Sequence, residues 1–205
     1  MFISFEGIGG CGKSTQARRL MEYIKECGRE VFLTREPGGT PSAEEIRRLI
    51  LEGHADKWSP ETEILLLNAA RRTHLEQLIW PARKRNAIVI TDRFVDSTRV
   101  YQGAARADLR PLVDELHRLV CVEETDLTVL ISIPAAEGMR RIAAAGRDEQ
   151  DRFDEMPSAF QQALFEGYEA LVAEFPNRCV RVDGMGSKDE VFARVCDVVL
   201  PRLGL

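Results

Sequence analysis

The eight residues from Gly7 to Ser14, GIGGCGKS, constrain this chain more than any other stretch. Gly7, Gly9, Gly10 and Gly12 give the backbone a freedom that neither strand nor helix uses, because a residue without a Cβ enters left-handed conformations at no steric cost. The flanks differ in kind. Phe2 to Phe5 is an apolar run of strand length, and Lys13 to Cys27 sets Ala17, Leu20, Met21 and Ile24 on one helical face. Strand, glycine turn, Lys-Ser and helix in this order match G-x-x-x-x-G-K-[ST], whose successive N–H groups surround an anion at the positive end of a helix dipole. On this reading Gly7, Ile8, Gly9, Gly10, Cys11, Gly12, Lys13, Ser14 and Thr15 hold the phosphates of a nucleoside triphosphate. Lys13 reaches the outer phosphates and Ser14 ligates magnesium.

The rest of the chain continues the alternation. Apolar runs at Glu30 to Thr34, Ala87 to Thr91, Leu127 to Ile133 and Cys179 to Val182 read as buried strands. Helical periods lie between them, and one starts where Ser59 can cap and Pro60 can take the first helical position, running to Trp80. Strands alternating with helices predict an α/β chain whose parallel sheet is covered on both faces. A length of 205 residues with 44% hydrophobic composition, and no repeat or linker, predicts one domain over residues 1–205. Ligands of such sheets gather beyond the carboxyl ends of the strands. There Asp92, closing the run AIVITD, is placed to bind magnesium through water or to orient Lys13.

A formal net charge of -5 argues against a general nucleic-acid partner. Five scattered cysteines without a C-x-x-C pair fit reduced thiols. No leader precedes Phe2 and no apolar run reaches bilayer length, so a cytoplasmic protein without a membrane partner is expected.

Four further stretches narrow the reading: TREPGGT from Thr34, EEIRRLIL from Glu44, LNAARRTH from Leu67 and TDRFVDSTRVYQG from Thr91. Their order is that of thymidylate kinases, and the chain closely resembles that family from Phe2 to about Phe153. The resemblance implies a three-layer P-loop nucleoside triphosphate hydrolase fold, with a five-stranded parallel sheet flanked by helices, and a homodimer formed by helix packing. It implies transfer of the ATP γ-phosphoryl group to dTMP, giving dTDP and ADP with Mg2+ in dTTP biosynthesis. By matching position, Arg93 and Arg47 hold the acceptor phosphate, with Arg35 beside them on the turn of Pro37, Gly38 and Gly39. Leu67 and Arg71 meet the base, Ser97, Thr98 and Gln102 belong to the base-reading segment, and Tyr101 closes the sugar pocket. The segment Gly138 to Glu155 resembles the lid over ATP. Arg147 and Arg152 there join Lys13 and Arg93 as catalytic candidates, with Arg141 a weaker one.

The chemistry of the residues agrees with this. An acceptor that is itself a phosphate, with a second pKa of about 6, needs no general base. Aligning and screening two anions is work for Lys, Arg and magnesium. The same residues also admit plainer roles: Leu67 and Tyr101 as core, each arginine as a solvated charge, and the lid run as an exposed helix face.

Three departures from the family pattern bear on function. Gly9 stands where the family carries an acid near the acceptor 3′-hydroxyl. Leu67 replaces a base-stacking Phe, giving up a contact worth on the order of 1 kcal/mol. Ala145 stands where an Arg precedes Gly146, and Arg147 follows instead. Gly10 also lacks the arginine of some relatives, which assigns that charge to the lid. These leave room for a kinase with a shifted acceptor, dUMP or a 3′-modified nucleotide, and for an ATP-dependent switch that transfers nothing. The stretch from Ala145 to Gln150 is expected to be the most mobile loop. Cys11, beside a helix amino terminus, is expected to react with alkylating agents unless ATP is bound. Ile64, Leu65 and Leu66 face either the core or a partner subunit.

Overall fold

The computed structural model describes residues 1–54, 57–103, 109–145, 153 and 156–205. Five strands, β1 (Phe2–Glu6), β2 (Val31–Arg35), β3 (Ile88–Asp92), β4 (Leu127–Ser132) and β5 (Cys179–Asp183), form one sheet in the order β2-β3-β1-β4-β5. Every neighbouring pair is parallel. The apolar runs locate all five strands, but β1, β2, β3 and β5 each end one residue later, on Glu6, Arg35, Asp92 and Asp183. Ladder pairing does not stop where hydrophobicity stops. These last residues are the charged groups that the sheet delivers to its carboxyl edge, where Arg35 and Phe5 both lie level with Asp92.

The helices are α1 (Lys13–Glu26), α2 (Pro41–Leu51), α3 (Pro60–His74), α4 (Trp80–Lys84), α5 (Val95–Tyr101), α6 (Arg110–Leu116), α7 (Ala135–Ala145), α8 (Ser158–Glu174) and α9 (Lys188–Leu203). Ser59 caps α3 by accepting the Thr62 N–H at 3.2 Å, and Pro60 occupies the first turn, as the sequence implied. The expected helix from Ser59 to Trp80 changes pitch on the way. A π-helical turn at Leu75–Ile79 joins α3 to α4, and a second at His117–Cys121 follows α6. A capping box between Ser187 and Glu190 starts α9.

Side chains alternate across β1. Ile3 and Phe5 pack with Ala17, Leu20 and Ile24 of α1 and with Val191, Val195 and Val199 of α9. Phe2 packs on the other face with Ile64, Leu75 and Phe94. Ser4 and Glu6 share the face of Phe2, so a buried polar seam runs under α5 and α8 toward the carboxyl edge. Ile64 is core, whereas Leu65 is 57% exposed. No helix among the described residues is long and apolar enough to cross a membrane.

Candidate active site

The glycine loop after β1 has the form its sequence requires. Gly7, Gly10 and Gly12 take φ of 142°, 72° and 93°. A Cβ on Gly7 would lie 2.6 Å from the Ile131 carbonyl oxygen, and one on Gly10 would lie 2.6 Å from the Gly138 carbonyl oxygen. The loop is therefore seated directly on the start of α7, and this backbone has no room for the arginine that some relatives carry at position 10. Gly9 and Ile8 are buried beside it, and Gly12 caps α1. Lys13 is 9% exposed, with Thr15 half-buried in the next turn. The Cys11 side chain is 2% exposed and belongs to the core beneath the loop. That corrects the expectation of a reactive thiol, because position beside a helix terminus does not confer access.

Ser14 and Asp92 meet where α1 starts and β3 ends. The Ser14 hydroxyl donates to Asp92 Oδ2. Asp92 Oδ1 is buried without a hydrogen-bond partner among the described residues. A hydroxyl and a carboxylate with an unmet oxygen fit a hard, oxygen-seeking cation that takes its other ligands from phosphates and water. Both line a cleft of about 620 Å³ with Thr34, Arg35, Thr40 and Glu44. Arg35 is half-exposed there and pairs with Glu44 at 3.2 Å. Burial raises the Glu44 pKa, but the Gly39 N–H at 2.8 Å and the Arg35 charge outweigh it and hold the carboxyl below its usual value.

Arg93, the residue after β3, joins this region to a second cavity. Its φ of 71° is rare for a residue with a side chain. Nη1 donates to the Gly7 carbonyl at 3.2 Å, to Ser97 Oγ at 3.0 Å and to Tyr168 OH at 3.0 Å, while Nη2 donates to Tyr101 OH at 3.1 Å. Behind it lies Glu6, fully buried, which accepts from the Phe94 N–H at 2.7 Å, Ser97 Oγ at 2.6 Å and Tyr168 OH at 3.3 Å. Burial, then the charge of Asp96, pushes the Glu6 carboxyl up to about 7, although Ser97, Arg93 and Phe94 pull the other way. Asp96 keeps its charge: burial opposes ionisation, but Arg178 and Arg99 hold its pKa down to about 2.

The second cavity lies between α3 and α5. Pro37, Leu67, Arg93, Ser97, Thr98, Tyr101, Gln102 and Phe153 line it. Arg71 approaches from beneath, 2% exposed. Its Nε donates to Glu36 at 2.7 Å and its Nη2 to Thr98 Oγ1 at 2.9 Å, but Nη1 is buried with no acceptor among the described residues. Burial raises the Glu36 pKa, and the Arg71 and His74 side chains more than reverse it, so the carboxyl sits below its usual value. His74 also bonds Thr34 Oγ1 at 2.7 Å, which makes it a brace for the TREPGGT loop. Arg47 donates to the Pro37 carbonyl at 2.6 Å and holds the same loop. Gln102 donates its amide N–H to the buried Glu63 at 3.0 Å.

The structure thus brings together Lys13, Ser14, Asp92 and Arg35 on one side, and Arg93, Ser97, Thr98, Tyr101, Gln102, Leu67, Pro37 and Arg71 on the other. Arg147 and Arg152 lie outside the described residues. Arg141 is committed elsewhere, to Glu137 at 2.7 Å and to the Gly184 carbonyl at 3.4 Å. Sequence reasoning gave no role to Glu6, Glu36, Glu63 or Tyr168. Glu63 carried a signal, because it precedes Leu67 by one helical turn on the stripe that continues to Arg71. Tyr168 carried none, being 162 residues from Glu6.

The family model described as thymidylate kinase matches residues 5–195. The thymidylate kinase of Dinoroseobacter shibae is 56% identical over 193 residues, covering 94% of this chain and 93% of that protein. The thymidylate kinase of Ruegeria pomeroyi is 50% identical over 204 residues, covering 99% of this chain and 96% of that protein. The crystal structure of thymidylate kinase from Ehrlichia chaffeensis superposes with a TM-score of 0.76 at 33% identity, covering 97% of each chain.

Proposed function

The chain belongs to the thymidylate kinase family, and from that membership we propose that it transfers the γ-phosphoryl group of ATP to dTMP, giving dTDP and ADP on the route to dTTP. The observation that carries the reading is Arg93, which lines the acceptor cavity while its Nη1 touches the Gly7 carbonyl of the donor loop. A phosphoryl group passing between two anions needs them aligned and their charge screened. The glycine loop and Lys13 hold the donor phosphates, and Arg93 with Arg35 draws the acceptor phosphate toward them. Arg47, which donates to the Pro37 carbonyl, is proposed to hold the acceptor phosphate with Arg93 and Arg35. Tyr101 and Leu67 enclose sugar and base, and Arg71, whose Nη1 has no acceptor among the described residues, is assigned to a base carbonyl. Ser14 and Asp92 would hold Mg2+, which supplies positive charge at the transferring phosphates when bound.

Arg147 and Arg152 are proposed to close over ATP and add charge that Gly10 does not supply. We propose a homodimer as well, supported by Leu65 on α3 and Leu119 on the π turn packed against α3, both 57% exposed. Five free cysteines support a reducing, cytoplasmic setting, the net charge of -5 weighs against a nucleic-acid partner, and a single domain over residues 1–205 without a membrane partner is part of the same proposal.

The test is a panel of nucleoside monophosphates in a coupled assay of ADP release, with products identified by mass. Preference for dTMP is expected. A clear preference for dUMP or a 3′-modified nucleotide would overturn the acceptor assignment, and ATP binding without any phosphorylated acceptor would overturn the kinase reading.

A further inference from the structure

The acceptor cavity reads its base through an amide whose direction is set from behind. Gln102 lines the cavity at 2% exposure, and its Nε2 donates to Oε2 of Glu63, which is 0% exposed. A carboxylate offers only lone pairs, so the amide must turn its nitrogen toward it; the opposite sense would set two oxygens against each other in a dry site. The amide oxygen is then the atom left for a ligand, which makes Gln102 an acceptor. Behind Thr98, Arg71 is held by Glu36 and by the Thr98 hydroxyl, with Nη1 unpartnered among the described residues. An acceptor at this place in the cavity matches a pyrimidine that carries N3–H beside a 4-oxo group. A 4-amino pyrimidine has only a lone pair at N3 and leaves the amide oxygen unmet.

We infer that Glu63 is a positioning residue that sets base choice, by fixing the sense of the Gln102 amide against 4-amino pyrimidine nucleotides. The inference rests on the dTMP reading above and deepens it. Glu63 touches no substrate. It acts on a group that does, from the neighbouring helix, and the distinction between thymine and cytosine is drawn there.

The experiment is Glu63→Gln, with kcat and KM measured for dTMP and for dCMP. A Gln at 63 can donate or accept, so the Gln102 amide is free to take either sense. The ratio of kcat/KM for dTMP over dCMP is expected to fall roughly tenfold or more, with the dTMP loss in KM rather than kcat. A variant that loses both acceptors in equal proportion, leaving the ratio unchanged, would show a packing role alone and overturn the inference. An independent measurement needs no variant: the unaltered protein is offered a dTMP analogue with C–H in place of N3–H. A fall in kcat/KM of about a hundredfold is expected from the unmet amide oxygen, and equal use of the two acceptors would overturn the inference. The acceptor panel on the unaltered protein is scored first, so a failure of the dTMP reading is seen apart from a failure of Glu63.

Discussion

Glu6 makes stability depend on pH in a direction opposite to that of an ordinary paired carboxylate. It is fully buried at the end of β1, faced by Arg93, Asp96, Ser97 and Tyr168, and its pKa is pushed up to about 7 from the ordinary 4.5. Between those two values the folded protein holds a proton that the unfolded chain has released. The contribution of Glu6 must therefore fall as pH rises through this window: it is fully present below 4.5 and gone above about 7. At roughly 1.4 kcal/mol for each pH unit the loss comes to about 3 kcal/mol. Glu6→Gln keeps the shape and removes the titration. Urea unfolding of both proteins from pH 4 to pH 8.5, taken as the difference between them, cancels the other ionising groups. The variant is expected to gain on the parent by about 3 kcal/mol across the window. A flat difference, or one that grows in the parent's favour with pH, would refute the account of the buried carboxyl.

Three other outcomes follow from the geometry. Gly10→Ala places a Cβ against the Gly138 carbonyl at a φ of 72°, so a loss of roughly 1–3 kcal/mol in thermal stability and weaker ATP binding by calorimetry are expected; no change in either would show that loop and α7 are not in close contact. Arg71→Leu leaves the buried Glu36 carboxyl with His74 in place of a full charge partner, and a loss of about 3 kcal/mol by urea unfolding should accompany a raised KM for dTMP. Iodoacetamide followed by peptide mass analysis should mark the exposed Cys27 well before the buried Cys11; rapid labelling of Cys11 that ATP prevents would restore the reactive-thiol expectation.

The donor half of the site was legible because its requirement is local. A loop that must wrap an anion needs Gly7 and Gly12 at fixed spacing between a strand and a helix, and nothing distant decides it. Leu67 and Arg71 were legible for a similar reason, since one helical face displays them together. Sheet order was not written in any strand, because five apolar runs of similar length carry no label for their neighbours. The supporting carboxylates were hidden for another reason. Glu6, Glu36 and Glu63 look like ordinary acids until the fold removes their water, and only then do they dictate how Arg93, Arg71 and Gln102 stand. Strand ends fell one residue late at Glu6, Arg35 and Asp92 because composition marks the core, whereas backbone pairing carries the chain past it to the site.

The tethers of Arg93 have a further consequence. Its Nη1 is shared by the Gly7 carbonyl, Ser97 and Tyr168, which belong to the donor loop, to α5 and to α8. In the proposed reaction, two substrates that meet in line would be positioned from one guanidinium. A shift of the glycine loop or of α5 would change the bonds of this one guanidinium, so the two sides of the site are linked mechanically through Arg93.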